Sequence, residues 1–396
     1  MEGAFLVQSL SAGETTRIIS IDVLRGLSLF GIFLVNMLSF HSPYFYYNPY
    51  EWWKTSQDLT AFSWIDIFIQ ASFYPLFAMM FGFGVAMQYE KAKQQGRSFA
   101  WTGIRRLTFL VLLGLVHAFF IWPGDILFNY AVCGFVLLLF LRFSGRLLLI
   151  FGTALLFLPA AFISLLLILA AQMDANNAIH WTDIASVSQS IAAYGSGTYA
   201  EITTQRINDW LNVNMVDGSF FFQLISILPF LLIGAGAFKL NMVGRWAAQP
   251  KKTAVLFLVF FIAGLLLKWV PHILDSSNVA YSYIQDAVGG PILAVSYAAF
   301  IVLLCSFEQP QKLLKPFAAA GKMSLTNYLT QSIIGTLIFY HYGLAYYGQV
   351  TVLTGIWLCV TIFSIQVIAS NLWLGRFKRG PFEALWRTIT YGKRGK

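Results

Sequence analysis

The chain is 396 residues long, 58% hydrophobic and only 11% charged, with a mean hydropathy of +0.68. This balance excludes a soluble protein of that length and implies a polytopic membrane protein. The formal net charge of +9 is explained by loop charge that orients membrane spans, with anionic inner-leaflet lipid as its counter-ion, and a nucleic-acid surface is excluded.

The opening MEGAFLVQSLSAGETT has no basic n-region, apolar h-region or small-residue cleavage site, so a retained polar lead-in is expected. A membrane helix needs about twenty mainly apolar residues. By that rule the fold is all-α, a helical bundle of about ten spans near 18–38, 61–88, 104–122, 126–141, 147–171, 219–238, 253–273, 288–305, 324–342 and 350–374. Trp122-Pro-Gly-Asp125 separates the third span from the fourth, which makes them a hairpin. With both termini and the even-to-odd loops inside, only Lys54, Arg206 and Lys268 of the 26 Lys and Arg fall outside. The positive-inside rule then gives an N-in, C-in protein. It is expected to be a single integral-membrane domain, 1–396, with a long outer loop at 172–217 and a basic cytoplasmic tail at 376–396.

Polar residues inside these spans are the functional candidates, because an unpaired charge at membrane depth costs a few kcal/mol. In the first span Asp22 and Arg25 are three apart and share a face, either as a structural ion pair or as a ligand-binding Arg held by its Asp. Asn36 and His41 lie at its outer end. The loop that follows holds Tyr44, Tyr46, Tyr47, Tyr50, Trp52 and Trp53, an interfacial belt or a stacking platform for a sugar ring.

The second span carries Asp66 near its outer end, Pro75 as a source of a kink, and Gly82 and Gly84 as sites of close helix approach. The basic stretch 91–106 follows, and Arg105 and Arg106 are its candidates for phosphate binding against a plain positive-inside role. His117 lies in the outer part of the third span, and Asp125 opens the fourth as a helix cap or as a partner for an imidazole.

In the long loop, the stretches IASVSQSIAAYG and YAEITTQRINDWLNVN predict short amphipathic helices over the outer mouth. Asp174, Asp183, Glu201, Asp209 and Asp217 make the loop acidic. Asn327 and Gln331 in the ninth span share a face that looks into the bundle, where hydrogen bonding to a neighbouring helix is their expected role, and Ser324 is its expected cap. The tail reads as a basic amphipathic segment on the inner leaflet. Cys133, Cys305 and Cys359 stand apart in apolar runs, so neither a disulfide framework nor a metal site is expected. No phosphate-binding loop, dinucleotide fingerprint or hydrolase motif occurs.

Ile21-Asp-Val-Leu-Arg-Gly26, Asn36, the Leu76 to Gly84 run, GLVHAFFIWPGDIL, GKMSLTNYLTQS and GPFEALWRTITYG closely resemble the YeiB-like family of bacterial membrane proteins, from the first helix to the tail. More distantly, the first two helices look like those of transmembrane acyltransferases, the acyltransferase-3 proteins and heparan-alpha-glucosaminide N-acetyltransferase among them. Asp22, Arg25 and Gly26 match an Asp-x-x-Arg-Gly shared by those relatives. Eleven residues after Arg25, where acyltransferase-3 proteins have a catalytic His, this chain has Asn36. The heparan enzyme's His falls farther on, in the segment where His41 lies.

The resemblance implies a multi-pass acyltransferase of the bacterial inner (plasma) membrane that uses cytoplasmic acyl-CoA as co-substrate and no metal, acting on a sugar, lipid or other small acceptor at the outer face. Arg25, paired with Asp22, would hold phosphate with Arg105 or Arg106, and Asn327 and Gln331 are further candidates for the donor site. His41 or His117 would serve as base, Asp66 or Asp125 would orient it, and Asn36 would donate to the oxyanion. The alternative from another class is a transporter or channel-like protein, in which Asp22, Arg25, Asp66 and His117 line a permeation path. Expected partners are membrane lipids and the small-molecule acceptor, with a homo-oligomer left open.

Overall fold

The computed structural model describes residues 13–173, 182–274 and 278–392. Most of the polar lead-in, Asp174, the Asp217 side chain and the last four residues of the basic tail lie outside the described residues. The first half of the chain forms α1 (Gly13–His41), α2 (Pro49–Trp52), α3 (Ser56–Phe68), α4 (Phe73–Gln94), α5 (Ala100–Phe120), α6 (Leu127–Phe140), α7 (Gly145–Met173), α8 (Ile184–Ser196) and α9 (Tyr199–Asn214). The second half forms α10 (Ser219–Lys239), α11 (Met242–Ala248), α12 (Pro250–Ile273), α13 (Val279–Ile284), α14 (Gly290–Cys305), α15 (Glu308–Lys322), α16 (Ser324–Phe339), α17 (Val352–Arg376) and α18 (Pro381–Tyr391).

The fold is an all-α bundle, and among the described residues eight stretches are long and apolar enough to cross a membrane. Two of the ten predicted spans are shorter than that, α6 with 14 residues and α16 with 16. α1 is the axis of the bundle: 72% of its apolar window is buried, against 11% for α7 and 17% for α12, whose apolar faces point outward. Around α1 pack α4, α14, α15, α16 and α17.

Small residues set these crossings. A Cβ on Gly26 of α1 would strike the Phe317 carbonyl oxygen, and one on Gly321 would strike that of Asp22, so α1 and α15 touch backbone to backbone. Gly82 and Gly234 do the same for α4 and α10, the packing role expected of Gly82.

The predicted second span is two helices. Its break lies between Phe68 and Phe73, where Ala71 takes a positive φ of 56°. Pro75 is not the cause, because in the first turn of α4 it displaces no intrahelical hydrogen bond. Unwinding frees the Gln70 carbonyl, which Lys268 Nζ bonds at 3.1 Å, so the polar backbone is satisfied inside the protein. Lys268, counted at first with the outer loops, is therefore a fully buried residue of α12.

The long loop folds as the amphipathic pattern predicts, into α8 and α9. Asp183 caps α8, and a Thr198/Glu201 capping box starts α9. Asp209 ties the pair to the rest of the far end by accepting from the Tyr46 and Tyr194 hydroxyls and the Gln205 amide, each at 2.6 Å. Burial nevertheless holds its carboxyl above its ordinary pKa.

Candidate functional site

At the end of the bundle that carries the start of α1 and the tail, a cavity of about 550 Å³ opens between α1, α4, α5, α6, α16 and α18. Seven cations line it: Arg25, Lys91, Arg106, Lys322, Lys378, Arg379 and Arg387. Glu383 is the one acidic residue in its described lining. Asp22 lies one turn before Arg25 on α1, its carboxylate 3.3 Å from Arg25 Nη1, and the α1–α15 contact at Gly26 brings Lys322 Nζ to 3.9 Å from the same carboxylate. Asp22 stands outside the lining and steadies two cations that face the cavity.

The tail supplies the rest of the lining. Glu383 accepts from the backbone N–H groups of Leu325 and Thr326 at 2.8 and 3.0 Å and from the Thr326 hydroxyl. It thereby caps α16 in place of the expected Ser324. Trp386 donates its indole N–H to the Arg106 carbonyl at 3.0 Å, and the Arg106 guanidinium lies over its ring at 3.5 Å. α18 is therefore a wall of the cavity.

Toward the other end lies a cavity of about 370 Å³ lined by Asn36, Ser39, Gln70, Trp122, Asp125, Asn129 and Asn214 among others. It shares Ile126 and Tyr130 with the basic cavity, so these two residues form the partition between them. Tyr130 is fixed by its hydroxyl, which donates to the Tyr74 carbonyl at 3.0 Å. Beside the partition, Asp125 Oδ1 lies 2.9 Å from His117 Nδ1, both side chains fully buried. Asp125 Oδ2 accepts from Phe128 N at 2.8 Å, so the cap and the imidazole partner foreseen for this residue coexist. His117 Nε2 has no hydrogen-bond partner among the described residues. Its ring is flanked by Tyr328, which lines the basic cavity, and Trp122, which lines the far one.

Other expected site residues are elsewhere. His41 is fully buried against Trp53 and Phe339 and lines none of the cavities described. Arg105 is exposed on the outside of α5, and only Arg106 faces the cavity. Asn327 bonds Ser370 at 3.0 Å and Gln331 bonds Gln366 at 2.9 Å, so both join α16 to α17 and neither lines the basic cavity.

Asp66 does not reach either expected histidine. Its carboxylate accepts from the Tyr50 hydroxyl at 2.6 Å and the Gln285 amide at 2.8 Å, and it lies 3.5 Å from His272 Nε2. Burial and Asp66 both push the Tyr50 hydroxyl above its ordinary pKa, so Tyr50 stays a donor. Lys268, His272 and Asp286 went unnoticed as candidates, although each interrupts or borders an apolar run, the signal that singled out Asp22 and His117.

Against known sequences, the chain is 36% identical over 391 residues to "Uncharacterized protein YxaH" of Bacillus subtilis (strain 168), covering 95% of this chain and 94% of the relative. The chain belongs to the YeiB-like family. It is 27% identical over 387 residues to "Uncharacterized protein YeiB" of Escherichia coli (strain K12), covering 94% of this chain and 96% of that one. A similar match, 27% over 398 residues, is to an "Uncharacterized 39.9 kDa protein in amylase 3'region" of Bacillus acidopullulyticus. The family model described as "Protein of unknown function (DUF418)" matches residues 237–393. That stretch holds Lys322 and the tail cations of the basic cavity, together with Lys268, His272 and Asp286.

Proposed function

We propose that this protein is an acyltransferase of the bacterial inner membrane that moves an acyl group from cytoplasmic acyl-CoA to a sugar, lipid or other small acceptor at the outer end. One observation carries the reading: seven Lys and Arg surround a cavity that shares a wall with the cavity lined by Asp125. Phosphate-bearing ligands favour such cation clusters, Arg above all, and about 550 Å³ lies within the usual range for ligand pockets.

In this reading the donor's phosphates lie among Arg25, Arg106 and the tail cations, and its thioester arm runs toward Tyr130. His117 Nε2 takes the proton of the acceptor hydroxyl or amine as that atom attacks the thioester carbonyl. Asp125 holds the imidazole by Nδ1, and Asn36 donates to the oxyanion. The C–S bond breaks, and the thiolate takes the proton back from the imidazolium. Because Trp122 and Tyr328 cover His117, one of them shifts when substrate binds.

Calorimetry with acyl-CoA tests the donor site. Arg25→Ala and Arg106→Ala should each weaken binding at least tenfold, whereas His117→Ala should keep the affinity and lose transfer. If no acyl-CoA binds the folded protein, the reading fails. The back-to-back cavities would then favour a transporter, to be tested by flux in liposomes.

A further inference from the structure

Beyond the partition, a third cavity of about 560 Å³ lies between α3, α7, α10 and the residues that follow α13. It adjoins the far cavity, with which it shares Tyr44, Gln70, Tyr74, Phe222 and Ser226. Its charge is opposite to that of the basic cavity: Asp66 and Asp286 line it, and its described lining contains no Lys or Arg. The broken span and a turn of π-helix build this wall. The turn spans Gln285–Gly289 and carries Gln285 to Asp66 and Asp286 to Lys268. Such turns recur at functional sites because they redirect side chains.

Asp286 Oδ1 accepts from Lys268 Nζ at 2.7 Å, yet 40% of the Asp286 side chain remains exposed while Lys268 is fully buried. Asp66 is closed in by Tyr50, Gln285 and His272. The cluster thus sets two carboxyl groups, Asp66 and Asp286, against a single Lys, Lys268, with the His272 ring beside Asp66. Gln70 adds a buried Oε1 with no hydrogen-bond partner among the described residues. Tyr44, Tyr50, Tyr74 and Tyr283 also line the cavity, and aromatic rings attract cations.

We infer that this cavity binds a small organic cation, an ammonium or alkylammonium group. Its charge pairs with Asp286, its N–H groups reach Gln70 Oε1 when it has them, and its carbons pack on the tyrosines. The inference does not depend on acyl transfer, because binding is read without any donor.

The test is titration of choline, ethanolamine and tetramethylammonium into the full-length protein in phosphatidylglycerol nanodiscs, with glycerol and sorbitol as uncharged controls. Saturable binding of at least one cation is expected, with no binding of the polyols. Asp286→Asn should weaken it at least tenfold. Should that variant misfold because Lys268 loses its counter-charge, Tyr283→Leu, which alters only the wall, should weaken tetramethylammonium at least threefold. Repeating the titration with phosphatidylethanolamine in the disc separates the sources. Competition identifies a lipid head group as occupant, and an unchanged affinity identifies a free amine. Failure of all three cations to bind, equal binding of a polyol, or unchanged affinity in both folded variants overturns the inference.

Discussion

Asp125 joins a structural role to the one proposed for it beside His117. One oxygen caps α6 through Phe128 N and the other holds His117 Nδ1. The two roles separate in Asp125→Asn, whose amide oxygen can still accept from Phe128 N while its NH2 donates to Nδ1. That donation forces the proton onto Nε2 and removes the base. The melting temperature should stay near the parent's, since substitutions that keep a capping acceptor cost well under about 1 kcal/mol. Acyl transfer should fall by about 10²- to 10⁴-fold. A variant that melts normally and transfers at the parent's rate would exclude the base role of His117. Residue by residue, the sequence exposed both members of this pair because each was polar at membrane depth. It could not show that His41 is sealed in, because Phe339, which covers it together with the nearby Trp53, comes from α16 at the other end of the sequence. For Asn327 and Gln331 it gave the interhelical hydrogen bonding that is found but not the partners, since Ser370 and Gln366 lie 43 and 35 residues on.

At the scale of elements, periodicity predicted an amphipathic tail helix and left open what its faces meet. Trp386 of α18 packs against α5, while Leu385 and Ile389 of the same helix stay exposed. Sequence pattern reports that a helix has a face to bury, while the surface it buries against is a matter of tertiary contact. Glu383 is the hinge of this arrangement, because its carboxylate takes the otherwise unpaired N–H groups at the start of α16. Glu383→Ala should cost about 1–2 kcal/mol and release the tail. Hydrogen exchange would then accelerate in 324–328 and 381–391 together, leaving α10 and α14 unchanged. Donor affinity should fall in parallel, since Lys378, Arg379 and Arg387 lose their places around the cavity. Faster exchange confined to 324–328 would mean that Trp386 holds α18 without the cap.

Over the whole molecule, the broad plan was legible because the bilayer imposes it: apolar runs, short polar turns and basic loops on one side. What the pattern could not give is which polar residues converge, because that depends on crossings set by pairs such as Gly26 with Gly321. Those crossings yield a strongly cationic cavity at one end and, beyond a thin partition, two cavities whose charged lining among the described residues is acidic. The proposed transfer between ends would require that a ligand's arm pass the partition while bulk solvent does not. Tyr130 is the residue placed to decide this: it faces the basic cavity and the far one and is pinned by the Tyr74 carbonyl. Its removal can be read with a cysteine at Asn36, in a background where Cys133, Cys305 and Cys359 are replaced by Ala. A membrane-impermeant thiol reagent added at the basic end of oriented vesicles should leave Asn36→Cys unmodified when Tyr130 is present. With Tyr130→Ala it should label the same cysteine. Truncating a buried aromatic costs about 3–5 kcal/mol, so Ile126→Ala, a smaller loss in the same partition, serves as the second opening. Labelling from the basic end with Tyr130 and Ile126 both intact would mean that the cavities already communicate, and the barrier between the two faces would then have to lie between Asn36 and the outer mouth.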